Sequence, residues 1–177
     1  MNFVIGISGQ ISSGKTTLAA ALAETLSCPM ASFGDFVRKV AKESEASGER
    51  LSLQDIGQSL VDGDCRQFCE DVIQSANWTR GQALVVDGIR HVEAWKNVCQ
   101  IVSQKETCLV VVSTSESIRA RRNKNKDKKM LAQLDKHPVE ADSIDSLPEI
   151  ADMRLDGSRN VSDLVHEIIE FVKDHNR

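Results

Sequence analysis

The apolar positions of the chain switch repeatedly between a strand-like and a helix-like rhythm. Phe3–Ser8 is a short apolar run, and Leu18, Leu22 and Leu26 behind it mark the inner stripe of a helix. Met30–Phe33 reads as a second, short strand broken by Gly34. Leu53, Ile56, Gly57, Leu60 and Val61 recur at helical spacing after Ser52, a residue type that caps helices. Ala83–Val86 and Thr107–Val112 are near-continuous apolar runs, as expected of strands covered on both faces. Met153–Leu155 is a candidate last strand. Val161, Leu164, Val165, Ile168, Ile169 and Val172 form one stripe of a final helix, with Asn160 or Ser162 as its cap. Strands alternating with helices predict βαβ units with right-handed crossovers. The expected fold class is therefore α/β: a five-stranded parallel sheet with helices on both faces, in three αβα layers.

Composition narrows this picture. The chain has 177 residues, 41% of them hydrophobic, which suits one domain over residues 1–177 with one substantial core. A net charge of −4 argues against a dedicated nucleic-acid binder. No apolar run reaches the ~18 residues of a membrane span, and the start lacks the charged and apolar regions of a signal peptide, so a cytoplasmic location is the default. The 5 cysteines include no C-x-x-C pair and fit a reducing compartment. Cys65 and Cys69, four apart on a helix, could share a face with a metal; two small buried side chains are the simpler reading. The histidines show no metal-ligand spacing. The polar segments Glu43–Leu51 and Arg121–Lys129 read as insertions rather than linkers.

The first chemistry-bearing motif follows the first strand. Gly9-Gln10-Ile11-Ser12-Ser13-Gly14-Lys15-Thr16 satisfies G-x-x-x-x-G-K-[ST] at every fixed position, between a strand and a helix as the motif requires. Glycines let the backbone curl until its N–H groups converge on phosphate oxygens. Lys15 supplies a point charge to the β- and γ-phosphates, and the Thr16 hydroxyl ligates Mg²⁺. The helix from about Gly14 adds its positive end, so Gly9, Ser12, Ser13, Gly14, Lys15, Thr16 and Thr17 form the candidate nucleotide site. This is the P-loop NTPase signature, with ATP and Mg²⁺ as the expected cofactors.

A second acid points into the same crevice. Leu84-Val85-Val86-Asp87 is an apolar strand ending in a carboxylate, and ligands of open α/β sheets sit beyond the carboxyl ends of the strands. Asp87 there can hold Mg²⁺ directly or through water.

Further elements carry a resemblance to a family. Gly34-Asp35-Phe36-Val37-Arg38 resembles the G-D-x-x-R element with which nucleoside monophosphate kinases, adenylate kinase among them, hold the acceptor's phosphate. Asp35 and Arg38 also look like the D-x-x-R of dephospho-coenzyme A kinases. Asp87-Gly88-Ile89-Arg90 is similar to the D-G-F-P-R element of monophosphate kinases without its proline. Arg119, Arg121 and Arg122 occupy the place of the arginine-rich lid. Ala151-Asp152 and Asp156-Gly157-Ser158 resemble the last strand and turn of dephospho-coenzyme A kinases. The resemblance implies a small-molecule kinase with an acceptor-binding segment over about residues 34–80 and a lid over about 117–137. Arg38 and Arg90 would hold the acceptor, a small molecule, while Lys15, Asp87, Arg119 and Arg122 would act on the transferring group. Asp35 is open between three roles: a base for a hydroxyl acceptor, a holder of Arg38, and a cap for the helix start. Gln54, Asp55 and Gln58 are candidate acceptor contacts, and His91 could touch substrate. His137-Pro138-Val139-Glu140 reads as the end of one helix and the proline-led start of the next.

The alternative is a nucleotide-dependent ATPase or switch acting with a nucleic acid or a protein, for which the basic stretch Arg119–Lys129 would be the docking face. Asn123-Lys124-Asn125-Lys126-Asp127 does not match the N-K-x-D of GTPases, having one residue too many.

Overall fold

The apolar runs become the inner strands of one sheet. β1 (Phe3–Gly9), β3 (Leu84–Ile89) and β4 (Glu106–Ser113) carry the longest buried stretches, and β2 (Met30–Ser32) and β5 (Met153–Asp156) flank them. The strand order is β2-β3-β1-β4-β5, every pairing parallel. A computed structural model describes residues 3–46, 52–103, 106–123 and 128–175. The remainders of the expected polar insertions Glu43–Leu51 and Arg121–Lys129, and most of the N-K letters, lie outside the described residues.

Side chains alternate across each strand and so build two cores. On one face Val4, Val86 and Leu109 pack with α2 (Phe33–Ala46), α3 (Leu53–Ser75) and α4 (Val92–Val102). On the other, Ile5, Ile7, Val85 and Val110 pack with α1 (Lys15–Leu26) and α9 (Val161–His175). The three-layer α/β arrangement expected from the periodicities is the one observed. No helix among the described residues is long and apolar enough to cross a membrane.

Several local expectations shift. β2 stops at Ser32 because the Ser32 hydroxyl accepts the Asp35 N–H at 3.2 Å and starts α2; Gly34 lies in that first turn and does not break a strand. β3 continues past Asp87 to Ile89, with a register shift opposite Ile7 and Ser8 and Gly88 at φ 84°. Asn160 caps α9, its side-chain oxygen accepting the Ser162 N–H at 2.9 Å and the Ser162 hydroxyl at 2.7 Å. α3 is kinked at Asp64 (φ −148°, ψ 89°), whose carboxylate accepts the Gln67 N–H at 2.9 Å and so recaps the second half. Between β4 and β5 the chain forms four short helices: α5 (Glu116–Arg122), α6 (Lys128–Leu134), α7 (Pro138–Ile144) and α8 (Ser146–Ile150). Proline does open α7, behind His137 as its cap.

The tightest point of the α4 face is Gly6, where a Cβ would sit 2.5 Å from both Ile89 Cδ1 and Trp95 Cζ3. Overpacking of this kind costs about 1–3 kcal/mol, so Gly6→Ala is expected to lower the unfolding free energy by that amount, seen as a lower urea midpoint at unchanged m. A midpoint equal to wild type would contradict this packing.

Candidate active site

The phosphate loop is shaped by positive-φ residues. Gly9 (φ 148°), Ser12 (φ 63°) and Gly14 (φ 99°) turn the chain from β1 into α1. At Gly9 a Cβ would overlap the Val112 carbonyl, so only glycine fits. Gly14 caps α1 without a side-chain bond, which leaves the first helical amides free for an anion. Lys15 is 8% exposed and donates to the Gln10 carbonyl at 3.1 Å. Burial, and then the positive charge of Arg90, push the Lys15 ammonium down to about 8, with Asp87 pulling the other way.

Asp87 comes up beside the loop, level with Ile7 of β1 and Ser32 of β2. Its Oδ2 accepts from the Thr16 hydroxyl at 3.0 Å and from the Ser32 hydroxyl at 3.5 Å. Its Oδ1 is buried and has no hydrogen-bond partner. Burial raises the carboxyl's pKa, opposed by Lys15 and Thr16. A bare carboxylate oxygen next to a threonine hydroxyl is the hard-oxygen donor set that Mg²⁺ takes beside phosphates, so Thr16 and Asp87 fit the ion the motif implies.

The floor under the loop was not legible in the sequence. The Ser13 carbonyl accepts from the Thr114 hydroxyl and from Arg122 Nη1, each at 2.8 Å. Arg122 Nη2 donates to the Gly157 carbonyl at 2.6 Å, and Asn123 Nδ2 to the Ser12 hydroxyl at 3.1 Å. A cavity runs along this side, lined by Gly14, Thr17, Val112, Arg122, Asn123 and Leu164. Arg119, 3% exposed, donates to the Ile11 carbonyl at 3.0 Å and grips Asp135 with both terminal nitrogens, at 3.1 and 2.5 Å. The structure thus ties Arg119 and Arg122 to the phosphate loop itself, whereas a lid would carry them free above it; Arg121 is exposed.

A second cavity opens beside Gly88 and Arg90, just past Asp87 in the chain. Phe33, Val37, Val61, Phe68 and Val139 make its apolar wall, with Phe33 and Phe68 edge-to-face at 5.1 Å. Arg38, Gln54, Arg90 and His91 supply its polar groups. Arg38 pairs with Asp35 at 2.6 Å, both exposed, and Ser32 already caps α2, so Asp35 holds Arg38 and does not cap the helix. Arg90 pairs with Glu140, and burial pushes its guanidinium down to about 10, against the pull of Asp87 and Asp135. Burial also lowers His91, whose Nδ1 lies 3.8 Å from Asp142. Gln58 bonds Asp62 and Asp55 bonds His137; neither lines the cavity. Cys65 and Cys69 are buried with their thiol pKa values raised by that burial, and no metal-binding cluster of His, Cys, Asp and Glu occurs among the described residues.

Fold and loop together define a P-loop nucleotide-binding protein of the small-kinase architecture. Residues 5–142 match the family model described as an AAA domain, and the chain belongs to that family. Over 128 residues it is 32% identical to a cytidylate kinase from Pyrobaculum islandicum (strain DSM 4184 / JCM 9189 / GEO3). That match covers 71% of this chain, which spans 61% of the relative's length. Among solved structures, a gluconokinase from Sinorhizobium meliloti 1021 superposes with TM-score 0.63 at 17% identity, covering 98% of this chain and 93% of that one. A shikimate kinase from Aquifex aeolicus superposes with TM-score 0.61 at 13% identity, covering 98% of both chains. These two likenesses show the fold.

Two outcomes follow from the loop geometry. A Cβ on Gly157 would overlap the Ser13 carbonyl and the Thr114 hydroxyl, so Gly157→Ala is expected to weaken ATP binding about tenfold or more by calorimetry; unchanged affinity would contradict this. The Lys15 pKa lies below the ordinary 10.5, at about 8, so the charged form is disfavoured in the fold; this penalty is full below about 8 and fades as pH rises towards 10.5. A bound triphosphate restores the charge, so binding at pH 8 should take up about half a proton at this site, read from the dependence of binding enthalpy on buffer ionisation. Lys15→Met should abolish the uptake, and a wild type without it would refute the assignment.

Proposed function

We propose that the protein is an ATP- and Mg²⁺-dependent kinase whose acceptor is a small phosphate-bearing molecule of the nucleoside monophosphate class. The observation that carries this reading is the second cavity. Two arginines, Arg38 and Arg90, line it, and it shares no lining residue with the nucleotide cavity. Two guanidinium forks suit a phosphate monoester better than a neutral alcohol. The apolar wall around Phe33 and Phe68 suits a flat ring. The cytidylate kinase relative points the same way.

In this reading the loop amides and Lys15 hold the donor's phosphates, and Lys15 neutralises charge as the terminal phosphoryl departs. Thr16 and Asp87 hold Mg²⁺, which shields the phosphate oxygens from each other. Arg38 and Arg90 orient the acceptor's phosphate for in-line attack. A phosphate acceptor needs no base, which agrees with Asp35 being engaged by Arg38. Arg119 and Arg122 fix the loop's shape from beneath. Arg119 is buried and Arg122 spends both terminal nitrogens on the Ser13 and Gly157 carbonyls, so no observation favours the switch reading.

A panel of nucleoside monophosphates, dephospho-coenzyme A, shikimate and gluconate, assayed with ATP by ³¹P NMR, tests the proposal. Transfer to at least one monophosphate is expected; no turnover on the whole panel, or turnover of the phosphate-free alcohols alone, would refute it. With the best acceptor, Arg38→Ala should raise the acceptor KM about tenfold at unchanged ATP KM, the loss of one charge-assisted phosphate contact.

A further inference from the structure

We propose that Glu140 is a positioning residue for acceptor binding, acting chiefly through Arg90; this rests on the kinase reading above. Glu140 is 0% exposed, lies in the first turn of α7, and pairs directly with the Arg90 guanidinium. Its Oε1 also accepts from Gln54 Nε2 at 3.1 Å, and the same amide donates to the Leu134 carbonyl at 3.1 Å. Gln54 and Arg90 both line the acceptor cavity. The rest of α7 grips the same stretch of backbone. The Ser143 hydroxyl donates to the Arg90 carbonyl at 3.4 Å, and Asp142 accepts the Val92 N–H at 3.0 Å. One short helix thus brackets residues 90–92 by side chain and main chain together.

Stability alone does not account for this pair. A fully buried carboxylate is costly to desolvate, and replacing such a pair by apolar side chains is often neutral or stabilising. The second carboxylate oxygen, Oε2, is buried without a hydrogen-bond partner, so Arg90 and Gln54 provide all of Glu140's compensation. What the pair does supply is direction. Arginine has a planar fork on a flexible stem, and one edge held by Glu140 aims the other at the cavity.

The test is a double-mutant cycle with the acceptor identified by the panel. Glu140→Ala should raise the acceptor KM about tenfold or more and leave the ATP KM within about twofold. In an Arg90→Ala background the same change should alter the acceptor KM by less than about twofold, because its main route of action is gone. Glu140→Gln, which keeps an oxygen for Arg90 and Gln54, should recover most of the loss. Equal effects in both backgrounds, a parallel rise in the ATP KM, or no recovery by glutamine would overturn the proposal. If Glu140→Ala does not fold, Gln54→Ala replaces it, with a smaller rise expected; a wild-type acceptor KM there counts equally against the claim. If wild type turns over no acceptor, the kinase reading fails by itself. The pair is then read from the Arg90 Nη–H NMR signals, slow to exchange in wild type and fast in Glu140→Ala; fast exchange in wild type overturns the pairing.

Discussion

The hydrogen bond from the Thr16 hydroxyl to Asp87 Oδ2 ties the first turn of α1 to β3, and both sides of the cleft are built outward from it. The bond requires β1 and β3 to be neighbours, which the β2-β3-β1-β4-β5 order provides. It also requires the loop to leave β1 sharply, which Gly9 allows by its close approach to Val112. From Asp87, the chain leads through Gly88 to Arg90 on the acceptor side, and from Thr16 back to Lys15 on the donor side. A displacement at this junction would move both sides together.

Electrostatics enforces the same geometry. Four of the cations around the cleft each have a carboxylate near them: Lys15 with Asp87, Arg90 with Glu140, Arg119 with Asp135, Arg38 with Asp35. Lys15 and Arg119 are buried and Arg90 is partly so, and their partners help to keep these charges away from water. Arg38 and Asp35 lie at the surface, where such a pair contributes little to stability and can open to a ligand at small cost. The cleft is thus rigid beneath the loop and yielding at the acceptor rim.

The sequence revealed those features that depend on local chemistry. The loop, Asp87, the alternating strands and the Ser52 cap are each set by residues a few positions apart, and the structure places them as expected. The boundary at Phe33 escaped because an apolar residue with strand propensity begins a helix once Ser32 caps it. Arg119 and Arg122 were expected to close over the transferring group because they occupy the place of an arginine-rich lid; their partners, Asp135 and the Gly157 carbonyl, come from later in the chain. Glu140 escaped for the same reason. A glutamate just behind a helix-initiating proline looks like an ordinary dipole partner, and only its meeting with Gln54 of α3 and with Arg90 shows it to be buried. Gly157, in a surface-like D-G-S turn, gave no sign of its approach to Ser13.

The central claim is that two phosphate-binding sites face each other across Asp87. The most direct measurement is the affinity of a bisubstrate compound, two nucleosides joined through a polyphosphate chain, titrated by calorimetry against ATP alone. Two sites in register predict binding at least about a hundredfold tighter than ATP, the gain of linking two ligands, and its loss in Arg90→Ala. Binding no tighter than ATP, or tighter binding insensitive to Arg90, would contradict the account.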